Sequence, residues 1–388
     1  MGSGDSQAAK PVLRTCDPCP QQPRSAALPF PCASPSPGSM PTRTQPTGKS
    51  GILPVQSLRE RAESGEIAGA EPNLFQPASL DLALGARAFR LRASFLPGEG
   101  TSVLDAARAL SLHEIDLADG AVLETGCVYL VELRQSLALG DDVTAIFNPK
   151  SSTGRLDVFT RVIGDGATRF DAVPAGYCGP LWVEVAPRTF PVLARAGDSL
   201  VQLRLRSGPH RELRTETVSV DLSGGFSQDT LGKGGLIGYR ARRHSGLVDL
   251  RKVGGHAPRD YWDPLRALDA RDGALVLDPD EFYILASSEA VVIPEGEAAE
   301  MAPIAPEIGE FRAHYAGFFD PGFGVGDGSG ARAVLEVRGR DVPFLLRHRQ
   351  PVARLVFEPM SAVPDRLYGT RGSNYQGQGL KLGKHFGG

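Results

Sequence analysis

EVAPRTFPVLARAGDSLVQLRL (184–205) aligns without a gap on EVRGRDVPFLLRHRQPVARLVF (336–357). Seven of the 22 positions are identical: Glu184/Glu336, Val185/Val337, Arg188/Arg340, Pro191/Pro343, Leu193/Leu345, Arg195/Arg347 and Leu203/Leu355. The pattern extends upstream, where CVYLVELRQSLALGDD (127–142) faces EFYILASSEAVVIPEG (281–296). Two related segments do not make a solenoid, but they do point to duplication of one domain. Both are built from short runs such as LWVEV and VQLRLR, which alternate apolar and polar residues and are punctuated by Gly, Pro and Asp. That texture recurs in SLDLAL, RAFRLRASF, DVTAIF and LDVFTRVI, and it predicts a mainly all-β fold, a barrel or sandwich, rather than βαβ units.

The expected organisation is a disordered tail over 1–50, a first β-domain over 51–215, a Gly-rich linker over 216–234 and a second copy over 235–388. Residues 1–50 are rich in Pro, Ser, Gln, Thr and Gly, too polar to offset their ordering entropy. Met40, just before the first structured residues, is an alternative to Met1 as the start of translation. ILPVQSLRERAESGEI reads as a short amphipathic helix ending at Gly65.

The chain has 388 residues, enough for two domains. A net charge of −3 offers no global field for a nucleic-acid polymer. No apolar run is long enough for a membrane helix. Five Cys, three of them before residue 33, argue against a disulfide scaffold and for a reducing cytoplasm. CDPC (16–19) is a lone C-x-x-C without a second pair at zinc spacing.

Three features carry chemistry. The first is NPKSSTGR (148–155), where Lys150, Ser151, Ser152 and Arg155 crowd one turn. Two cations and two hydroxyls there suit a phosphorylated ligand, although a solvated loop or helix cap reads the same way. The P-loop and dinucleotide fingerprints are absent. The second is Glu184, sharing a strand face with Trp182 and flanked by Val183 and Val185. Desolvation there should raise its pKa and suit it to proton transfer; the alternative is a solvent-facing Glu paired with Arg188. The third is YGTRGSNYQGQGLKLGKHF (368–386), a lid or a plain tail, whose Tyr, Gln, Lys381 and Lys384 could close over a ligand.

QPASLDLALG (76–85), NPKSSTGR, GYCGPLWVE (176–184) and NYQGQG (374–379), in that order, resemble the dCTP deaminases of the dUTPase-like superfamily. The resemblance implies a distorted β-barrel, trimers with sites at subunit interfaces, and zinc-independent conversion of dCTP and water to dUTP and ammonia. It implies Glu184 as general base, Ser151 and Arg155 as catalytic partners, and Lys150, Ser152, Asp171, Tyr368, Tyr375 and Gln378 as substrate-binding residues. Mg²⁺ is expected on the triphosphate, dTTP is a candidate inhibitor, and a homo-oligomer is expected.

The second copy departs from the family. PIAPEIGEF (303–311) places Glu307 or Glu310 where Arg belongs, Asn374 replaces the tail Lys, yet FFDPGFG (318–324) and Glu336 are kept. One site type per chain is therefore expected, built on the first copy and covered by the tail of the second, with a mixed site using Glu336 as the secondary variant. Two rivals remain open: a dUTPase or bifunctional enzyme releasing dUMP, and a non-catalytic deoxynucleotide sensor.

Overall fold

The computed structural model describes Met1 and residues 50–226, 235–305, 307, 311–314, 317–326, 328–339, 341–370 and 375–387. Residues 2–49 of the N-terminal tail with the CDPC pair, residues 227–234 of the Gly-rich linker, Glu310 and Asn374 lie outside the described residues. The fold is mostly β, as expected. A nearly closed sheet runs through the strands Val158–Gly164, Cys178–Pro187, Val128–Ala138, Leu80–Leu91, Ser199–Ser207, Val143–Pro149 and Ala172–Val173 in that spatial order. The expected helix forms at Val55–Glu63, and Gly65 just beyond it takes a positive φ of 87°.

The second half of the chain builds three sheets among the described residues. One pairs Trp262–Arg266, Leu236–Ala241, Phe282–Val291, Ala331–Gly339 and Phe311–His314; another pairs Arg214–Ser219, Pro351–Pro359, Glu297–Ala302 and Phe318–Phe319; the third is a ribbon of Ala274–Leu277 and Phe344–Arg347. The aligned strands take matching places in their sheets. Cys178–Pro187 lies between Val128–Ala138 and Val158–Gly164, as Ala331–Gly339 lies between Phe282–Val291 and Phe311–His314. The strand Arg214–Ser219 spans the expected boundary between first domain and linker, and it pairs with Pro351–Pro359 of the second copy.

The polar positions of VQLRLR do not all face solvent. Gln202 and Arg204 are buried, Arg204 almost completely. A buried guanidinium is tolerated only when its donors are filled. Arg204 donates to Asp320 Oδ1 (2.9 Å), Phe319 O (3.0 Å), Ala299 O (3.1 Å) and Ala78 O (3.3 Å), and it lies over the Phe318 ring. The polar face of this strand meets the second copy. Arg206 and Glu358 add a bidentate pair across the same seam, with both bonds at 2.7 Å, and Arg338 binds the fully buried Asp157. Apolar packing joins the copies as well. The largest core holds Leu203, Phe190 and Val183 of the first copy with Trp262, Ile284, Val334 and Phe386 of the second.

Among the described cysteines, Cys127 is a free thiol.

Candidate functional site

The turn of NPKSSTGR follows the strand Val143–Pro149, where Lys150 leaves the sheet and Ser151–Gly154 makes one helical turn. Its position is set from the second copy. The Gly317 N–H donates to Asn148 Oδ1 at 2.7 Å, and Gly317 abuts Ser151 so closely that a Cβ there would lie 2.3 Å from the Ser151 Oγ. Gly317 also holds a φ of 103°, which only glycine adopts readily.

Arg155 points away from Glu184. Its guanidinium stacks on the Tyr375 ring, 3.9 Å from the centroid, and donates to Gln378 Oε1 (2.9 Å) and Lys381 O (3.0 Å). Its Nε lies 3.8 Å from Glu336 Oε1. Gln378 in turn donates to Arg332 O (3.1 Å), and the Lys384 N–H donates to the Tyr375 hydroxyl (3.2 Å). The C-terminal segment is therefore a docked cover, fixed to the turn of the first copy and to the strand Ala331–Gly339.

Glu336 is buried, with Oε2 and the Arg155 Nε both lacking a hydrogen-bond partner. Burial pushes its pKa up to about 8, against the opposing pull of Arg155. A protonatable carboxyl, a fixed cation and unspent hydrogen-bonding capacity in one buried spot form a proton-transfer device.

Glu184 occupies the matched position in the first copy but has other company. Its Oε1 accepts from Arg161 Nε (3.1 Å) and Nη2 (2.6 Å), and Arg161 stacks on Phe170 and also binds Ser94. The pairing with Arg188 considered from sequence does not form. Asp171 belongs to this second cluster too. Its carboxylate accepts from the Val162 N–H (2.8 Å), burial pushes its pKa up to about 7, and it lines neither cavity described next. The structure thus separates Glu184 and Asp171 from Ser151 and Arg155, contrary to the sequence reading. The reason is which face of the strand is covered by what. Trp182 and Glu184 face a small cluster of Phe89, Val103 and Ile163 within the first copy, whereas Val334, on the face of Glu336, packs into the core of the first copy.

Two adjoining cavities mark the site. The larger, about 480 Å³, is lined by Gln76, Asp81, Lys150, Ser151, Ser152, Phe318, Asp320, Arg366, Tyr368, Thr370, Tyr375 and Lys384, among others. The smaller, about 30 Å³, is lined by Ser151, Arg155, Phe318, Phe319, Phe323, Val334, Glu336, Tyr368, Tyr375 and Gln378. Ser151, Phe318, Tyr368 and Tyr375 line both. Lys150 is ion-paired with Asp81, and the Lys384 pKa is lowered by burial and then by Lys150. Lys150, Lys384 and Arg366 make the larger cavity a cationic chamber suited to a polyphosphate. Arg366, Asp320 and Phe318 carried no role in the sequence reading. The signal for Phe318 and Asp320 was the FFDPGFG run (318–324), which meets the turn of the first copy, whereas Arg366 lies outside that run.

Comparison with known proteins shows the family of the chain. A family model described as the N-terminal domain of 2′-deoxycytidine 5′-triphosphate deaminase matches residues 49–209, and one described as the C-terminal domain matches 189–386. A dUMP-forming dCTP deaminase of Methanothermobacter thermautotrophicus is 30% identical over 186 residues, which is 47% of this chain and 83% of the relative. One from Methanoculleus marisnigri is 32% identical over 156 residues, 39% of this chain and 78% of the relative. The crystal structure of 2′-deoxycytidine 5′-triphosphate deaminase from Agrobacterium tumefaciens is similar at a TM-score of 0.75 and 50% identity, covering 80% of this chain and 99% of that one.

Proposed function

Because the chain belongs to the 2′-deoxycytidine 5′-triphosphate deaminase family, we propose that its deamination of dCTP runs at one composite site. In that site the first copy supplies Lys150, Ser151, Ser152 and Arg155, and the second supplies Glu336 and the tail. The observation that carries this reading is the meeting of Arg155 with Glu336, both buried, while Glu184 is held by Arg161.

The cations of the larger cavity hold the triphosphate, and the base enters the smaller one beside Glu336. The smaller cavity has room for one or two waters. A pyrimidine ring needs more, so Tyr375 and the tail withdraw on entry and close again over the bound nucleotide. Glu336, as carboxylate, takes a proton from the water that adds to C4. It passes that proton to the exocyclic amine, the C4–N bond breaks and ammonia leaves, while the remaining proton of the added water moves from the C4 hydroxyl to N3, so that the ring becomes uracil with a C4 carbonyl and an N3–H. Arg155 holds Glu336 and opposes its protonation, and the Ser151 hydroxyl orients the water. Mg²⁺ arrives on the triphosphate oxygens, as a hard cation with oxygen ligands.

The test is incubation with dCTP and Mg²⁺, with ammonia assayed and nucleotides resolved by anion exchange. Glu336→Gln should lose about 10²–10⁴-fold in kcat, the usual worth of general acid–base catalysis, while Glu184→Gln keeps turnover. The reverse pattern would put the base at Glu184. If dCTP binds without ammonia release from the wild type, the chain is a sensor.

A second reading, release of dUMP rather than dUTP, is favoured by one further observation. Asp320, a buried carboxyl whose pKa is raised by burial, lines the larger cavity together with Lys150. It is placed to activate water at a phosphate. The names of the curated relatives point the same way, and dUMP in the same chromatogram would establish it.

A further inference from the structure

Arg204 lies on the strand Ser199–Ser207 and is only 1% exposed. The gapless repeat sets Val356 at the matched position, on the strand Pro351–Pro359. An apolar side chain therefore serves at this strand position, and the sheet itself does not ask for a cation. A buried ion pair adds little to stability over apolar packing of similar volume. The reason for a guanidinium here lies in what it touches across the seam.

It touches two walls of the larger cavity. The bond to Ala78 O holds the segment that carries Gln76 and Pro77, and the bonds to Phe319 O and Asp320 Oδ1 hold the segment that carries Phe318 and Asp320. The guanidinium also lies 4.1 Å from the centre of the Phe318 ring. The other carboxylate oxygen of Asp320 accepts from the Ser79 hydroxyl at 3.3 Å.

Asp81 and Asp320 are buried carboxyls in a chamber whose cations are Lys150, Arg366 and Lys384. Asp81 is matched by Lys150, and Asp320 by Arg204 at 2.9 Å. Without that partner, an ionised Asp320 would repel the phosphates of a nucleotide, or would take up a proton before one could bind. The same guanidinium opposes the rise of the Glu300 pKa caused by burial, so exchange of Asp320 is needed to separate the two carboxyls.

We propose that Arg204 is a positioning residue for dCTP binding: it cancels the charge of Asp320 towards the substrate phosphates and fixes the walls 76–78 and 318–320 around them. This role rests on the reading of the larger cavity as the triphosphate chamber.

The test is KM for dCTP from pH 6 to 9. Arg204→Gln should raise it about tenfold at the alkaline end, the worth of one unit charge acting across about 10 Å at the effective dielectric of a protein surface. The ratio to the wild-type KM should shrink as pH falls and Asp320 takes up a proton. Arg204→Lys keeps the charge and should keep KM. Adding Asp320→Asn to Arg204→Gln should bring KM back to that of Asp320→Asn alone. Partial unfolding lowers kcat and leaves KM, so it does not imitate this pattern. Where Arg204→Gln does not fold, Arg204→Met is measured in the same way. No rise in KM, a rise equal in Arg204→Lys, or a pH-independent rise that Asp320→Asn does not relieve overturns the role. A KM that responds to Lys150→Ala but not to Arg204→Gln overturns the role of Arg204 alone, whereas a KM indifferent to Lys150→Ala overturns the chamber and this role with it.

Discussion

Arg155 Nε lies 3.8 Å from Glu336 Oε1 across the seam between the two copies, while Glu184, the matched residue of the first copy, is bound by Arg161 at 2.6 Å. Two carboxylates in aligned strand positions thus have different surroundings. One meets the turn at 148–155, and the other is held by Arg161 within the first sheet.

Glu336 should give the reaction its pH profile. Its folded pKa of about 8 lies well above the usual carboxylate value, so the free enzyme holds it protonated at neutral pH. As the base it must first lose that proton, and kcat/KM should rise with pH up to about 8 and then level. Rates measured from pH 6 to 9 check this, and a profile flat above pH 6 would remove Glu336 from the role.

The same shift has a stability consequence of defined sign. Between the unfolded carboxylate pKa and about 8, the folded state binds more protons than the unfolded state. The contribution of Glu336 is fully present at low pH and is lost as pH rises through about 8. Glu336→Gln should therefore flatten the fall in stability between pH 5 and 8, and should be more stable than wild type at pH 8. Urea denaturation at the two pH values reads the difference.

Arg161→Ala should destabilise without touching the composite site. Removing it strands Glu184 in the interior, and breaking one half of a buried pair costs about 3–5 kcal/mol. The midpoint of denaturation should drop, while the folded fraction keeps a near-normal kcat at 20 °C. A loss of kcat in folded protein would show that the Glu184 cluster acts in turnover.

The tail cover depends on Arg155, Tyr375 and Gln378. Gln378→Ala removes the acceptor at 2.9 Å from Arg155 and the donor to Arg332 O. KM for dCTP should rise by about tenfold, since a lost hydrogen bond to a charged group is worth about 1.5–3 kcal/mol. The C-terminal segment should become easier to cleave in limited proteolysis. An unchanged KM with unchanged cleavage would mean that the cover is held by its apolar contacts alone.

Gly317 should prove as necessary as a catalytic group, although it carries none. A Cβ would strike Ser151 Oγ, and the φ of 103° adds strain. Gly317→Ala should lower kcat sharply by displacing Ser151. Asn148→Ala, which loses only the 2.7 Å bond from Gly317, should raise KM with a smaller loss of kcat. Equal effects of the two variants on kcat and KM would indicate simple unfolding of the seam.

Much of this was legible in the sequence. Strand texture and turn punctuation gave a mainly β fold, because each of these is a local pattern with a fixed period. The turn at 148–155 stood out because its cations and hydroxyls lie within eight residues. The composition of the C-terminal segment left lid and tail open, and the structure docks that segment on Arg155. The sequence reading chose Glu184 by proximity, whereas the proposed site uses Glu336. Glu184 follows the turn in the same copy, and sequence order favours neighbours. Period-two alternation places Glu184 beside Trp182 and Glu336 beside Val334, but it does not say what packs on each face.

The sequence by itself determined the mainly β texture and the supply of cations, hydroxyls and carboxyls, since these follow from backbone periodicity and side-chain chemistry. Only the tertiary structure decided which carboxylate joins which turn. That choice depends on the packing of the two barrels, where the buried Arg204–Asp320 and Arg338–Asp157 pairs fix the seam and bring Arg155 to Glu336. Docking of this kind is set by the sum of many contacts between distant segments, and no local stretch of the chain encodes it.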